Sequence, residues 1–237
     1  RHQAMTRTTL AVMMTLNSTT PPNSDVPGGI QLLGTVVPKS AESTPIPAGW
    51  IEKQPPNLNT DLPLLTARER QRGYVTFHKH YLEMVYPGTR PSREEMTDSV
   101  SLFSARGEYE IATFSIHALT NLTDVRVESS ELRSTQHTLS AENIQVRSVR
   151  CMPNRLWAEA AYVVRPTLLE LRDQLKVSAE ATQRYWITVW VPPDTPAGEY
   201  RGTITIRTRM REPRTLSLHL EVLPIDLPPT PIRQGMY

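Results

Sequence analysis

Between Ala112 and Val222 the chain repeatedly alternates apolar and polar residues with a period of two, and nothing else in it restricts the fold so tightly. Ala112, Phe114, Ile116 and Ala118 alternate with Thr113, Ser115 and His117. Tyr185, Ile187, Val189 and Val191 alternate with Trp186, Thr188 and Trp190. Val125 and Val127, Ile204 and Ile206, and Leu216, Leu218, Leu220 and Val222 repeat the pattern. Successive strand side chains point to opposite faces, so each run is one half-buried strand. Tyr74 to Tyr86, Asn143 to Cys151 and Ala158 to Val164 add less regular strands. About eight strands at short spacing predict an all-β fold, an antiparallel β-sandwich of Ig-like or Greek-key type. Leu168 to Leu175, following Pro166, reads instead as two helical turns. The stretch from Val191 to Gly202 places prolines where a strand must stop and Tyr200 where the next begins, the spacing of a tyrosine corner.

Prolines mark the boundaries. Of 21, nine precede Thr66, four lie between Ala67 and Val191, and eight follow. Proline fixes φ and removes a donor, so the first stretch sustains neither helix nor paired strand. Counting Gly in place of Tyr, the apolar share is about 39%, below the roughly 45–50% of a typical globular chain, so part of the chain lies outside a core. Residues 1–70 are therefore read as an irregular arm with Trp50 and Ile51 as its points of attachment. Residues 71–227 form the sandwich, and 228–237 a linker with the first residues of a following domain. Arg at position 1 leaves two readings, a fragment or a chain whose own start is Met5. Leu10 to Leu16 behind Arg7 has the length of a short secretory core. No A-x-A-like site follows and Thr15 interrupts it, so a chance apolar patch is preferred over a signal peptide.

Several function classes drop out. No apolar run approaches the roughly 18 residues of a membrane span. A single cysteine, Cys151, excludes an internal disulfide and a thiolate zinc cluster. The net charge of +2, from 26 basic and 24 acidic residues well interspersed, gives no electrostatic case for nucleic acid.

Four segments in order carry a family resemblance: Arg106 to Leu119 (RGEYEIATFSIHAL), Leu122 to Val127 (LTDVRV), Trp186 to Ile204 (WITVWVPPDTPAGEYRGTI) and Leu220 to Pro228 (LEVLPIDLP). Together they resemble the N-terminal β-sandwich domain of glycoside hydrolase family 123 and its uncharacterised relatives, over roughly Gln71 to Tyr237. The resemblance implies an accessory domain of an N-acetylgalactosaminidase-like enzyme. In that family an adjacent Asp-Glu pair in a following (β/α)-barrel assists a retaining mechanism that uses the substrate's own 2-acetamido group. Glycosidases need two groups flanking the scissile bond, and this sequence contains no Asp-Glu dipeptide. No catalytic residue carries over, and Gly235-Met236-Tyr237 reads as the opening of the first barrel strand. The expected partner is that barrel, in the same parent protein, and the resemblance, more than the N-terminus, implies a secreted or periplasmic setting. The alternative is a free-standing carbohydrate- or protein-binding sandwich of a bacterial envelope.

The chemistry-bearing residues are weighed against structural roles. Glu94-Glu95 and the Glu108/Glu110 couple read as solvated loop and strand-start charge, with Glu108 or Glu110 pairing Arg106, because nothing buried accompanies them to shift a pKa. His78 and His80 share one face of a predicted strand, with His117 and Glu83 as spatial neighbours. Zinc needs three or four converging ligands, and no metal or cofactor is assigned. Cys151 reads as a half-buried hydrophobe rather than a nucleophile. Trp186 and Trp190 are the candidate contact residues: both project opposite to Ile187 and Val189, about 13 Å apart at roughly 3.3 Å per residue. Packing against the arm or the barrel is the preferred reading, with a sugar-stacking platform and burial under the second sheet as the alternatives.

Overall fold

A computed structural model of the chain describes residues 46–227 except 56, 57, 60, 173 and 210. Most of the proline-rich arm (1–45) and the expected linker (228–237) lie outside the described residues. The rest is a β-sandwich. One sheet runs, in spatial order, β1 (Ile51–Glu52), β9 (Ala161–Glu170), β8 (Ile144–Leu156), β11 (Thr182–Val191), β4 (Glu108–Ala118) and β2 (Tyr74–Phe77). The other runs β10 (Leu175–Val177), β5 (Leu122–Ser129), β12 (Gly198–Arg207), β13 (Arg214–Asp226) and β3 (Ser99–Arg106). The short β6 (Leu132–Arg133) pairs with β12 and with β7 (Thr138–Leu139). A short helix, α1 (Ala67–Arg72), precedes β2 and opens on a capping box between Thr66 and Glu69.

The alternating runs fill the space between the sheets. Phe114, Ile116, Ile187 and Val189 from the first sheet and Ile204, Leu216, Leu218 and Leu220 from the second are all fully buried. Phe114 and Tyr185 stack at 5.2 Å between ring centroids. Burying each such aliphatic or aromatic side chain contributes roughly 1.5–3 kcal/mol, so the period of two is an energetic specification of which face turns inward.

Several details differ from the sequence reading. The sheets are mixed: β13 pairs with β3, and β1 with β9, in parallel, while every other pairing is antiparallel. Alternation fixes which face is buried and says nothing of a neighbour's direction. The two helical turns expected at Leu168 to Leu175 are instead the end of β9 and the start of β10. Glu170 there pairs across the sheet with Ser148, and ladder bonds to β8 outweigh a local helical preference. The expected strand Tyr74 to Tyr86 ends at Phe77. Residues 78–98 then cross the outer face of the first sheet as an irregular strap, held at its root by bonds from His78 N to Glu95 O (2.9 Å) and Thr97 N to Thr76 O (3.0 Å).

The described end of the arm adds to the sheet edge as the paired strand β1, against the expectation that this proline-rich stretch sustains none, because the β1 pairing falls between the prolines at 47 and 55. Ile51 N donates to Ala160 O (3.3 Å) and Lys53 N to Tyr162 O (2.8 Å), while Trp50 meets Trp157 edge-on at 5.0 Å.

The tyrosine corner is present. Tyr200, wholly buried, donates its hydroxyl to Pro196 O at 2.8 Å across the turn between β11 and β12. Two residues on, a Cβ on Gly202 would lie 2.5 Å from Glu131 O, so only glycine lets β6 approach there. Tyr200→Phe is expected to lower unfolding stability by about 1–2 kcal/mol, since the phenol bond is lost and the Pro196 carbonyl loses its partner. Urea unfolding with an unchanged slope would report it; an unshifted midpoint would remove the corner from the stabilising set.

Candidate functional site

The outer face of the first sheet is built from the polar half of the alternation, yet much of it is not wet. Thr113, Ser115 and His117 on β4, and Thr182 and Arg184 on β11, are all buried. The strap covers them, and Arg184 fastens it. Its guanidinium donates to Lys79 O (3.0 Å), to His80 O (2.7 Å), to Glu83 O and to Thr113 Oγ1 (2.8 Å). Thr113 Oγ1 in turn donates to Lys79 O (2.9 Å), and Thr182 Oγ1 to Thr89 O (2.6 Å). One planar, always-charged fork thus holds the carbonyls of three strap residues.

This fastening sets Tyr81, Leu82 and Met84 beside Trp186. The rings of Tyr81 and Trp186 meet edge to face, 6.3 Å apart. Trp186 lies in a mainly apolar pocket of about 210 Å³, closed on one side by the strap and on the other by Val149 of β8 and Leu168 and Leu169 of β9. The rim is left in solvent: Leu82 is 77% exposed, Met84 52% and Leu169 41%.

Trp190 is on the same face but has a different partner. Tyr109 lies against it at 4.4 Å, the planes tilted by 36°, and Tyr109 itself is 60% exposed. Both tryptophans are half-buried and project away from Ile187 and Val189, which are fully buried. The second sheet therefore does not cover them, which removes that alternative. The sequence reading continues the strand to Tyr86 and so does not contain the strap that lies against Trp186, nor does it single out Arg184.

The remaining candidates have structural roles. Glu95 accepts from Ser92 N (2.9 Å) and pairs with Lys79, which shapes the strap. Glu108 accepts from Ala105 N (2.9 Å); Arg106 pairs with Asp226 at 3.4 Å rather than with Glu108 or Glu110, a correction that follows from the parallel register of β13 on β3. His78 and His80 follow the end of β2 and share no strand face, since the strand stops at Phe77. His80 Nδ1 accepts from Leu82 N (3.3 Å), and His117 Nδ1 bonds to Thr182 Oγ1 (2.9 Å). Among the described residues, no group of three or more His, Cys, Asp or Glu converges as a metal would require. Cys151 sits at a bulge in β8, where burial pushes its thiol up to about 11. It is a thiol and not a thiolate at neutral pH.

Two predictions arise here. Arg184→Met is expected to release the strap, with about 2 kcal/mol of stability lost as its carbonyls lose their donors, faster amide exchange at residues 80–84 and a red-shifted tryptophan emission. Arg184→Lys should behave similarly, because a single ammonium nitrogen cannot reproduce the spread of the guanidinium, in which Nη1 reaches Glu83 O while Nη2 reaches Lys79 O and His80 O. Unchanged exchange in both variants would show that the strap is held by other contacts. His117 gives a pH dependence. Burial holds its imidazole below the usual 6.5, the nearby Glu180 opposing and Arg90 adding. The unfolded chain thus binds this proton more readily. Stability is full above about pH 6.5 and falls as pH drops below that value, by at most about 1.4 kcal/mol per pH unit. His117→Gln should flatten the slope over pH 5–6.5, leaving the part due to His78, whose pKa burial also lowers.

Comparison with known proteins adds the following. A model of the glycoside hydrolase 123 N-terminal domain matches residues 81–208, more than half of the chain. Among solved structures the chain is similar to a family 123 glycoside hydrolase from Clostridium perfringens studied for glycolipid glycan hydrolysis, with 16% identity and a TM-score of 0.47 over 54% of this chain. The chain spans 23% of that protein's length. It is also similar to a PapD-like domain of human CEP192 (14% identity, TM-score 0.32, 63% of this chain and 99% of that one) and to the class 5 fimbriae chaperone CfaA (9% identity, TM-score 0.30, 53% and 54%). No protein with a curated description matches.

Proposed function

The chain belongs to the family of glycoside hydrolase 123 N-terminal domains, and on that premise we propose that it is a non-catalytic accessory sandwich bracing the catalytic barrel of an N-acetylgalactosaminidase-like enzyme. The observation that carries the proposal is the outer face around Trp186. Leu82, Met84 and Leu169 lie exposed about an apolar pocket, on a sheet much of whose outward polar face the strap covers. Contiguous apolar surface of this kind marks an interaction site, and an aromatic floor with Met and Leu around it has the composition of an interface core. Trp186 would then be an interdomain contact, and the strap the element whose shape Arg184 sets for the barrel.

Among the described residues the candidate carboxylates have structural partners. Glu95 and Glu108 are occupied by backbone donors, and Glu69 is paired with Arg93. The purified chain should leave an aryl N-acetylgalactosaminide intact.

A second reading, a carbohydrate-binding module, is favoured by the Tyr109–Trp190 pair, half open to solvent on the same face. One experiment separates the two. In the parent enzyme, amide exchange at residues 80–84 should be at least tenfold slower than in the isolated chain, and Leu82→Asp should abolish that difference. Equal exchange in both would overturn docking at this face. Glycan-array binding by the isolated chain, lost in Trp190→Ala or Trp186→Ala, would establish the second reading in its place.

A further inference from the structure

A second cavity, of about 290 Å³, opens at the side of the sandwich, where the edge strands β2 and β3 of the two sheets meet α1. Arg72 from the end of α1, Arg93 from the strap and Arg214 from the start of β13 line it, with Glu69 and Asp98 as the carboxylates. The charges do not balance. Glu69 is committed: it pairs with Arg93 at 2.8 Å and accepts from Thr66 N at the helix cap (2.6 Å). Its carboxyl is held down to about 2, chiefly by the Arg93 bond, so the Glu69–Arg93 pair is neutral across the working range.

That leaves Arg72 and Arg214 with one carboxylate, Asp98. Among the described residues neither arginine forms an ion pair. Arg72 lies against the ring of Tyr74 at 6.0 Å. Arg214 Nη2 reaches only Thr97 O, at a long 3.4 Å, and its Nε is buried without a partner. The hydroxyl of Tyr74, a fully buried residue, is also without a partner. Burial, and after it the charge of Arg72, holds the Arg214 guanidinium below its ordinary pKa, while Tyr74 and Asp98 oppose this. The threonine hydroxyls are already used: Thr76 donates to Thr97 O and Thr97 to Ser99 O.

A half-buried guanidinium with an unfilled donor beside a second unpaired arginine is an arrangement that an acceptor of negative charge completes. The guanidinium fork matches the paired oxygens of an oxyanion. We infer that this pocket binds a ligand through a small oxyanion, a carboxylate, sulfate or phosphate group, seated between Arg72 and Arg214. The volume lies near the lower end of ligand pockets, about 300–1,000 Å³, so there is room beyond the oxyanion for part of the group that carries it. The site is independent of the Trp186 face and of whether a barrel docks there.

The test uses the chain as it stands. Thermal unfolding and calorimetric titration are run with sodium phosphate, sulfate or acetate against chloride, at fixed ionic strength and pH 7. At least one oxyanion should raise the melting temperature saturably where chloride does not, and which one does so identifies the ligand group. Arg214→Gln and Arg72→Gln should each weaken that binding by about tenfold or more, the loss of one charge-assisted pair. Arg126→Gln, on the exposed side of β5, should retain it. If Arg214→Gln does not fold, Arg72→Gln, in the half-exposed last turn of α1, decides alone. No oxyanion-specific rise, or a rise that survives Arg72→Gln undiminished, overturns the site.

Discussion

The packing of two apolar sheet faces against each other is what every other feature rests on. Phe114, Ile187 and Val189 on one side and Ile204, Leu218 and Leu220 on the other leave no accessible surface. Because the strand period is two, a slip of one residue in any of these strands would carry its whole apolar set into water. The register is thus set by burial and then secured at the crossing between sheets, where Tyr200 ties β12 to the carbonyl of Pro196. The outward side chains, Trp186 and Trp190 among them, have their positions fixed as a by-product of the same constraint.

The outer face of the first sheet adds a second layer of organisation. A strand face bearing Thr113, Ser115, His117, Thr182 and Arg184 would ordinarily be solvated. Here the strap covers it: Thr113, Thr182 and Arg184 bond carbonyls of the strap, while Ser115 Oγ and His117 Nε2 are buried without a partner. The consequence is a change of surface shape. The same guanidinium that satisfies the strap's carbonyls brings Tyr81, Leu82 and Met84 to the edge of Trp186 and turns a flat sheet into a pocket with an exposed apolar rim. A surface made this way is shaped by a buried charge and offers hydrophobic contact, a combination suited to a partner that docks in one orientation.

Much of the fold was legible because burial leaves a periodic mark. The five alternating runs became β4, β5, β11, β12 and β13, and the Val191 to Gly202 stretch gave the corner at Tyr200. The parallel pairing of β13 with β3 was not legible, since a strand's own sequence carries its facing and not its neighbour's direction. Nor was the end of β9, where Leu168 and Leu169 suit either a helix or a strand and only the ladder to β8 decides. Trp186 and Trp190 were placed on the outer face by parity alone. Their separate partners, Tyr81 and Tyr109, lie 105 and 81 positions away in sequence, beyond the reach of any local pattern.

What the residues determined by themselves was the two-layer architecture, the inward set and the outward tryptophans, because each follows from the period of a single strand. The tertiary structure alone decided which outward residues stay in water. Arg184 and the strap carbonyls it holds lie 101 to 105 positions apart in sequence, and whether a polar side chain meets solvent or a carbonyl depends on which backbone is folded across it. The same holds for Arg72 and Arg214, 142 positions apart, whose charges become a shared property only once helix and strand have been brought to one edge of the sandwich.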